Sequence, residues 1–209
     1  MKLLCLIVLV TSSLMGCVTQ PKRDLDAFYA HRPRSIVVVP VVNESPEVTA
    51  SSVFITSITR PLAERGYYVF PVYLTDLILR DFGLVEAGHI HQLPPNRFFE
   101  LFGADAVLFV TIKDWSTKYL VLASSVVVEM EYVLKDTKTG LVLWENKQPY
   151  VQSSGGSDPI TMVVSAAITA LVTDYLPLAR QANYMAFQPP KGIPAGVYHP
   201  DYEHDQSRF

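Results

Sequence analysis

Apolar positions along this chain change their period several times, and each change marks an element. Ser35-Ile36-Val37-Val38-Val39-Pro40-Val41-Val42 is a continuous β-branched run, the pattern of a strand covered on both faces. Pro40 places that strand near a sheet edge or ends it early. From about Ala50 to Glu64, Val53, Ile55, Ile58, Leu62 and Ala63 fall near helical spacing, and Gly66 stops the run. Pro61 lies inside it and predicts a kink or a division. Residues 67–72 read as a second strand, so the order strand–helix–strand predicts a right-handed crossover between neighbouring parallel strands. Residues 75–82 predict a short helix with Thr75 as N-cap. Residues 83–95 follow as loop, 96–102 as a helix closed by Gly103, and 106–112 as a third strand.

Beyond residue 119 the period is two. Val128, Met130, Tyr132 and Leu134 alternate with Glu129, Glu131, Val133 and Lys135, which predicts one dry face and one wet one. Asp136-Thr137-Lys138-Thr139-Gly140 reads as a turn with glycine at its left-handed end, and residues 141–145 return as the second arm of a hairpin. Ser157-Asp158-Pro159 then opens a helix to about Tyr175. It is apolar over most of its girth, so burial against the sheet plus a second surface is expected. Met162, Val163, Ala167 and Leu171 are the candidate subunit interface. Residues 188–209 are expected to be an extended or disordered tail. The fold class is α/β: a single three-layer or two-layer domain on a mixed sheet of about five strands, in the order β-α-β-α-α-β-β-β-α.

The first apolar run, Leu3 to Val10, is too short to span a bilayer, which takes about 20 apolar residues. It follows a positive Lys2 and leads into Leu14-Met15-Gly16-Cys17, the pattern of a lipobox. Cleavage between Gly16 and Cys17 would make Cys17 the lipidated first residue of the mature chain. Three acyl chains hold such a protein to a bilayer essentially permanently. The expected organisation is a cleaved signal peptide over 1–16, a lipidated tether over 17–34, an α/β domain over 35–187 and the tail over 188–209. Cys5 departs with the signal, so the mature chain holds no free thiol and no disulfide, and its stability must come from its core.

Removing Lys2 leaves 17 − 1 = 16 basic residues against 20 acidic ones, a net charge of −4. No basic block or stripe exists, which argues against a nucleic-acid role. No catalytic set emerges. His89-Ile90-His91 would put two imidazoles on one side of an extended segment, but a structural zinc site wants four ligands. The loop Ser153-Ser154-Gly155-Gly156-Ser157 lacks the lysine and spacing of a phosphate-binding loop. Asp105 stands just before a strand, where an aspartate more often holds a turn. Glu129 and Glu131 share a strand face without a companion base. No metal and no cofactor are expected.

Two stretches carry a resemblance. Leu101-Phe102-Gly103-Ala104-Asp105-Ala106-Val107-Leu108 runs from a helix end through Gly-Ala-Asp into a strand, and Asp136-Thr137-Lys138-Thr139-Gly140-Leu141-Val142-Leu143-Trp144 is an Asp-x-x-Thr-Gly-x-x-x-Trp hairpin. Both resemble the periplasmic α/β core shared by the amino-terminal domain of TolB and by CsgG-type lipoproteins. The mature chain as a whole resembles the GNA-type lipoproteins first described as meningococcal antigens. That family has no assigned biochemical function, and its members tend to be encoded beside CsgG-like lipoproteins. The resemblance implies an envelope lipoprotein that forms homo-oligomers, with a dimer favoured, and meets a CsgG-like partner. It carries over no catalytic residue. No insertion as long as the pore-building hairpins of CsgG is expected. By resemblance to bacterial sorting signals, Val18 after the cysteine implies the outer membrane, with the periplasmic face favoured. The expectation is therefore a non-enzymatic outer-membrane lipoprotein acting by protein contact in an envelope assembly or export complex. The alternative is a solute-binding accessory of a transport system.

Overall fold

A computed structural model of the protein describes residues 24–120, 123–153 and 175–209. The signal segment, Gly16, Cys17 and the candidate interface residues Met162, Val163, Ala167 and Leu171 lie outside the described residues. The elements in chain order are α1 (Asp26–His31), β1 (Ser35–Val38), β2 (Val42–Asn43), α2 (Ala50–Glu64), β3 (Tyr68–Val69), α3 (Val72–Asp81), α4 (Ala87–Ile90), α5 (Asn96–Phe102), β4 (Ala106–Leu120), β5 (Ala123–Asp136), β6 (Val142–Ser153) and α6 (Tyr175–Phe187).

One mixed sheet runs in the order β3-β1-β4-β5-β6, with β2 also paired to β4. β3, β1 and β4 are mutually parallel, whereas β4–β5 and β5–β6 are antiparallel. The crossover from β1 to β3 is expected from the sequence and present. On one face, α2 and α6 cover Ile36, Val38, Leu108, Val110, Val128, Met130, Tyr132 and Leu134. On the other, Leu79 of α3, Ile90 of α4 and Phe98 of α5 cover Val37, Val39, Val107 and Phe109. The parallel half is thus three-layered and the antiparallel half two-layered, which joins the two architectures expected. The alternation of β5 follows the same division, with its even-numbered residues buried from Val128 to Leu134.

Several boundaries differ from expectation for local reasons. Pro40 interrupts the β-branched run, and pairing with β4 resumes only at Val42 opposite Thr111. Pro61 does not divide α2, which runs unbroken from Ala50 to Glu64; the proline is buried one turn from the helix end, where it removes a single backbone bond. The second strand stops at Val69 because Pro71, with φ −58°, caps α3 four residues before the expected cap. Thr75 is therefore inside the helix, buried with its hydroxyl unpaired, and is not the N-cap. The hairpins are also longer than the sequence implied. β4 continues to Leu120, so residues 119–135 are not one strand but the end of β4 and most of β5.

The largest corrections concern the two ends. Residues 24–33 are not a loose tether: α1 packs against β6, with Leu25 and Phe28 buried. Residues 188–209 are not extended or disordered but form a strap across the domain, with Ile193, Ala195 and Asp205 buried. The strap is fixed by a buried ion pair. Arg65 Nη2, at the end of α2, donates to Asp205 Oδ2 at 2.7 Å, and Ala195 N–H donates to the same oxygen at 2.8 Å. Arg32, just past α1, pairs with Glu203. Composition suggested a loose end because the stabilising partners are about 140 residues away in sequence.

Close backbone approach accompanies the strap. Gly66 has φ +84°, and a Cβ there would stand 2.4 Å from the His199 nitrogen. Gly83 has φ +75° but open space around it. Both glycine-to-alanine changes incur the left-handed penalty of about 1–2 kcal/mol. Gly66→Ala is expected to lose clearly more in urea unfolding than Gly83→Ala, since only the former collides with the strap. Asp205→Ala, which leaves a buried guanidinium unpaired, is expected to lose about 3–5 kcal/mol in the same measurement.

Candidate interaction surface

The two stretches that carried the resemblance meet in space. Thr137 Oγ1 donates to the Ala104 carbonyl at 2.5 Å, and Thr137 N–H donates to the Asp105 carbonyl at 3.0 Å. Asp105 Oδ2 accepts from Arg34 N–H (3.0 Å), Ser35 N–H (3.1 Å) and Ser35 Oγ (3.1 Å). Asp105 thus ties β1 to β4 and not a turn of its own. Asp136 organises the expected turn: its Oδ1 accepts from Lys138 N–H, Thr139 N–H and Thr139 Oγ1. Burial pushes this carboxyl up, but those three donors outweigh it and hold the group below the usual carboxylate value. The carboxylates of Asp105 and Asp136 are thus occupied in holding the scaffold.

The two histidines part company. They lie on and just after the short helix α4, not on an extended segment. His89 is exposed, whereas His91 turns inward with Nε2 donating to the Pro40 carbonyl at 2.9 Å and its ring edge-on to Phe109. The interruption at Pro40 frees that carbonyl from the sheet, and His91 satisfies it. Burial holds the His91 pKa below its usual value, opposed by the bond to Pro40. Glu131 faces Lys113 at 3.6 Å, and Lys113 reaches Glu44 at 2.9 Å, which raises the lysine's pKa. Glu129 stands opposite Asp114 in the strand register.

His91, Phe109, Thr111, Glu131, Val133 and Lys135 line a shallow crevice of about 160 Å³. It lies over the antiparallel pair β4–β5, next to His91, whose ring reaches the Pro40 carbonyl just past β1. Small-molecule sites usually enclose about 300–1,000 Å³, so this one has room for an ion or a very small solute.

The exposed apolar side chains are concentrated elsewhere. Tyr68, Tyr73, Leu74, Leu77, Phe82 and Val85 fall within 18 residues of chain, Tyr73 being 74% and Phe82 61% exposed. On α3, Tyr73, Leu74 and Leu77 are spaced by three and four and so share one side, opposite the buried Thr75 and Leu79. The sequence reading named a short helix here and no surface. The available signal was an apolar residue on both sides of a ten-residue helix.

A family model described as "Putative lipoprotein GNA1162-like" matches residues 23–186. The chain belongs to this lipoprotein family. Putative lipoprotein NMB1124/NMB1162 of Neisseria meningitidis serogroup B is 34% identical over 174 residues, which is 82% of this chain and 80% of the relative. The crystal structure of lipoprotein GNA1162 from Neisseria meningitidis matches with a TM-score of 0.57 at 34% identity, covering 68% of this chain and 100% of that one. The PelC dodecamer from Paraburkholderia phytofirmans, at 17% identity and a TM-score of 0.42 over 71% of this chain and 89% of that one, is too remote to support an argument. GNA1162-like membership and the mixed α/β fold both agree with the sequence reading. Among the described residues no helix is long and apolar enough to cross a membrane.

The buried His91 makes a prediction of sign. Its folded pKa lies below the unfolded value of about 6.5, so the unfolded chain binds the proton first. The stability it contributes is complete above about pH 6.5 and is lost as pH falls through the folded pKa. Urea midpoints measured against pH are expected to show this decline in the parent chain, and a shallower one in His91→Gln.

Proposed function

We propose that this protein is an outer-membrane lipoprotein, anchored through Cys17, that acts by protein–protein contact in a cell-envelope assembly or export complex and has no enzymatic activity. The observation that carries this reading is the exposed apolar side of α3, rimmed by the Asp76–Arg80 ion pair. Exposed apolar clusters with a polar rim are the usual mark of protein contact. Membership of a lipoprotein family supports the anchor, and Val18 after the lipidated cysteine supports the outer membrane. A homodimer and a CsgG-like lipoprotein are the partners this reading names.

Tyr73→Asp and Leu77→Asp change only solvent-facing positions and are expected to leave folding intact by circular dichroism. They are expected to abolish recovery of the partner when the tagged lipoprotein is isolated from membranes. Unchanged recovery with both variants would remove α3 as the contact and leave this reading without its main support.

The second reading, a solute-binding accessory of a transport system, is favoured by the crevice beside His91. It predicts a small solute that raises the thermal midpoint, and that does so less in Lys135→Ala. The volume of the crevice makes it the weaker of the two.

A further inference from the structure

The strap is held as a bound peptide is held. Three side chains of the domain donate to three successive carbonyls. Trp144 Nε1 donates to Gly192 at 2.8 Å, Arg65 Nε and Nη2 donate to Ile193 at 3.1 and 2.9 Å, and the Tyr67 hydroxyl donates to Pro194 at 2.5 Å. The backbone adds Gly196 N–H to the Arg65 carbonyl at 2.8 Å and Tyr198 N–H to the Gly66 carbonyl at 3.2 Å. Ile193 and Ala195 are buried in the seat. A Cβ at residue 196 would lie 2.3 Å from the Gly66 oxygen, so the seat accepts only glycine there. Main-chain bonds give such a segment affinity, and the buried side chains give it sequence.

Two observations mark the seat and its occupant as separable. Arg65, Tyr67 and Trp144 lie inside the stretch matched by the family model, whereas the strap lies beyond its end at residue 186. The closed seat also leaves two buried oxygens, Tyr29 Oη and Asp205 Oδ1, without hydrogen-bond partners. The closed arrangement is thus incompletely satisfied, because unpaired buried groups oppose it. The strap is joined to α6 only through Gln188-Pro189-Pro190, with no strand or helix across the joint.

We infer that the groove around Arg65, Tyr67 and Trp144 is a binding site for an extended Ile-Pro-Ala-Gly segment, filled here by the chain's own strap, and that the same segment of a second copy replaces it. The second copy is the occupant because the groove is cut to this segment. Exchange between identical chains preserves the contacts of the seat, gives up only the turn in which Gly192 N–H donates to the Gln188 carbonyl at 2.8 Å, and is a low-cost route to a dimer. Concentration then decides the balance, and confinement of two copies to one surface raises it. This inference is independent of what α3 meets.

The test uses the mature chain with Cys17→Ser. One batch carries a donor dye at Ser207→Cys in the strap, and a second carries an acceptor at Arg60→Cys on α2; both positions are solvent-exposed. Transfer between copies is expected to grow after mixing, to rise with concentration, and to disappear when the donor strap also carries Ile193→Asp. A chain bearing both dyes serves as the reference for a seated strap. Absence of transfer between copies at every concentration, with the doubly labelled chain showing its strap seated, would overturn the inference. Transfer that survives Ile193→Asp would overturn it as well, since the copies would then meet elsewhere.

Discussion

The sheet depends on where three chain segments are pinned at the amino ends of its parallel strands. Asp105 is the pin. Its carboxylate takes both backbone and side-chain donors from residues 34 and 35, and its own N–H donates to Ser35 Oγ at 3.0 Å. Its carbonyl takes Thr137 at the start of the β5–β6 turn. These bonds align Ile36 with Ala106 and Ala106 with Asp136, and the pairs of β1, β4 and β5 count from there as far as Ile112 opposite Met130, beyond which the β4–β5 register shifts by one residue. A slip by one residue would turn Leu108, Val110, Tyr132 and Leu134 away from α2 and α6. The Gly-Ala-Asp and Asp-x-x-Thr-Gly patterns therefore belong together physically, as two halves of one register lock.

A second constraint works at the opposite end of the connectivity. Arg65 terminates α2, Asp205 comes four residues before the chain's last one, and their buried contact holds the strap over Tyr67 and Trp144. Buried ion pairs add little over a well-packed apolar seat, but losing one partner is costly. The pair therefore acts more as a selector of one strap position than as a source of stability. The core proper is supplied by packing between Phe54, Tyr132, Trp144 and Phe187, whose rings meet at 5.3–6.2 Å. Asn183 fixes α6 within it, donating to Ser57 Oγ at 2.8 Å and accepting from the Tyr132 hydroxyl at 3.1 Å.

The pattern of the sequence exposed most of this fold because most of it is locally encoded. The β-branched run at Ile36–Val39, the alternation from Val128 to Leu134 and the Asp136–Gly140 turn each state their structure within a few residues. What stayed illegible is set by distant partners. Nothing near Asp205 announces that its counter-ion is Arg65, and nothing in Leu25-Asp26-Ala27-Phe28 says that β6 is waiting for it. The helix runs on through Pro61 because the proline is buried near its end and forfeits only one backbone bond. The α3 surface was hidden differently. Apolar spacing predicts that a helix will be covered, and only the structure tells which side is left bare.

The burial of α1 changes what a lipid anchor would do. A tether of residues 17–34 would reach on the order of 60 Å, at about 3.3–3.6 Å per residue. With Leu25 and Phe28 fixed in the domain, only residues 17–23 remain between the proposed lipid and the fold, and their reach is at most about 25 Å. Asp24 and Leu25 lie beside Val142–Glu145, so the anchor would join the domain at the amino end of β6. From Val142 to Ser153 that strand extends roughly 36 Å more, at about 3.3 Å per residue. With such an anchor the register-lock end of the sheet would be held close to the bilayer, and the far ends of β4, β5 and β6 would be the parts able to stand away from it. A partner embedded in the same membrane would meet the first of these ends, and one approaching from across the periplasm would meet the second.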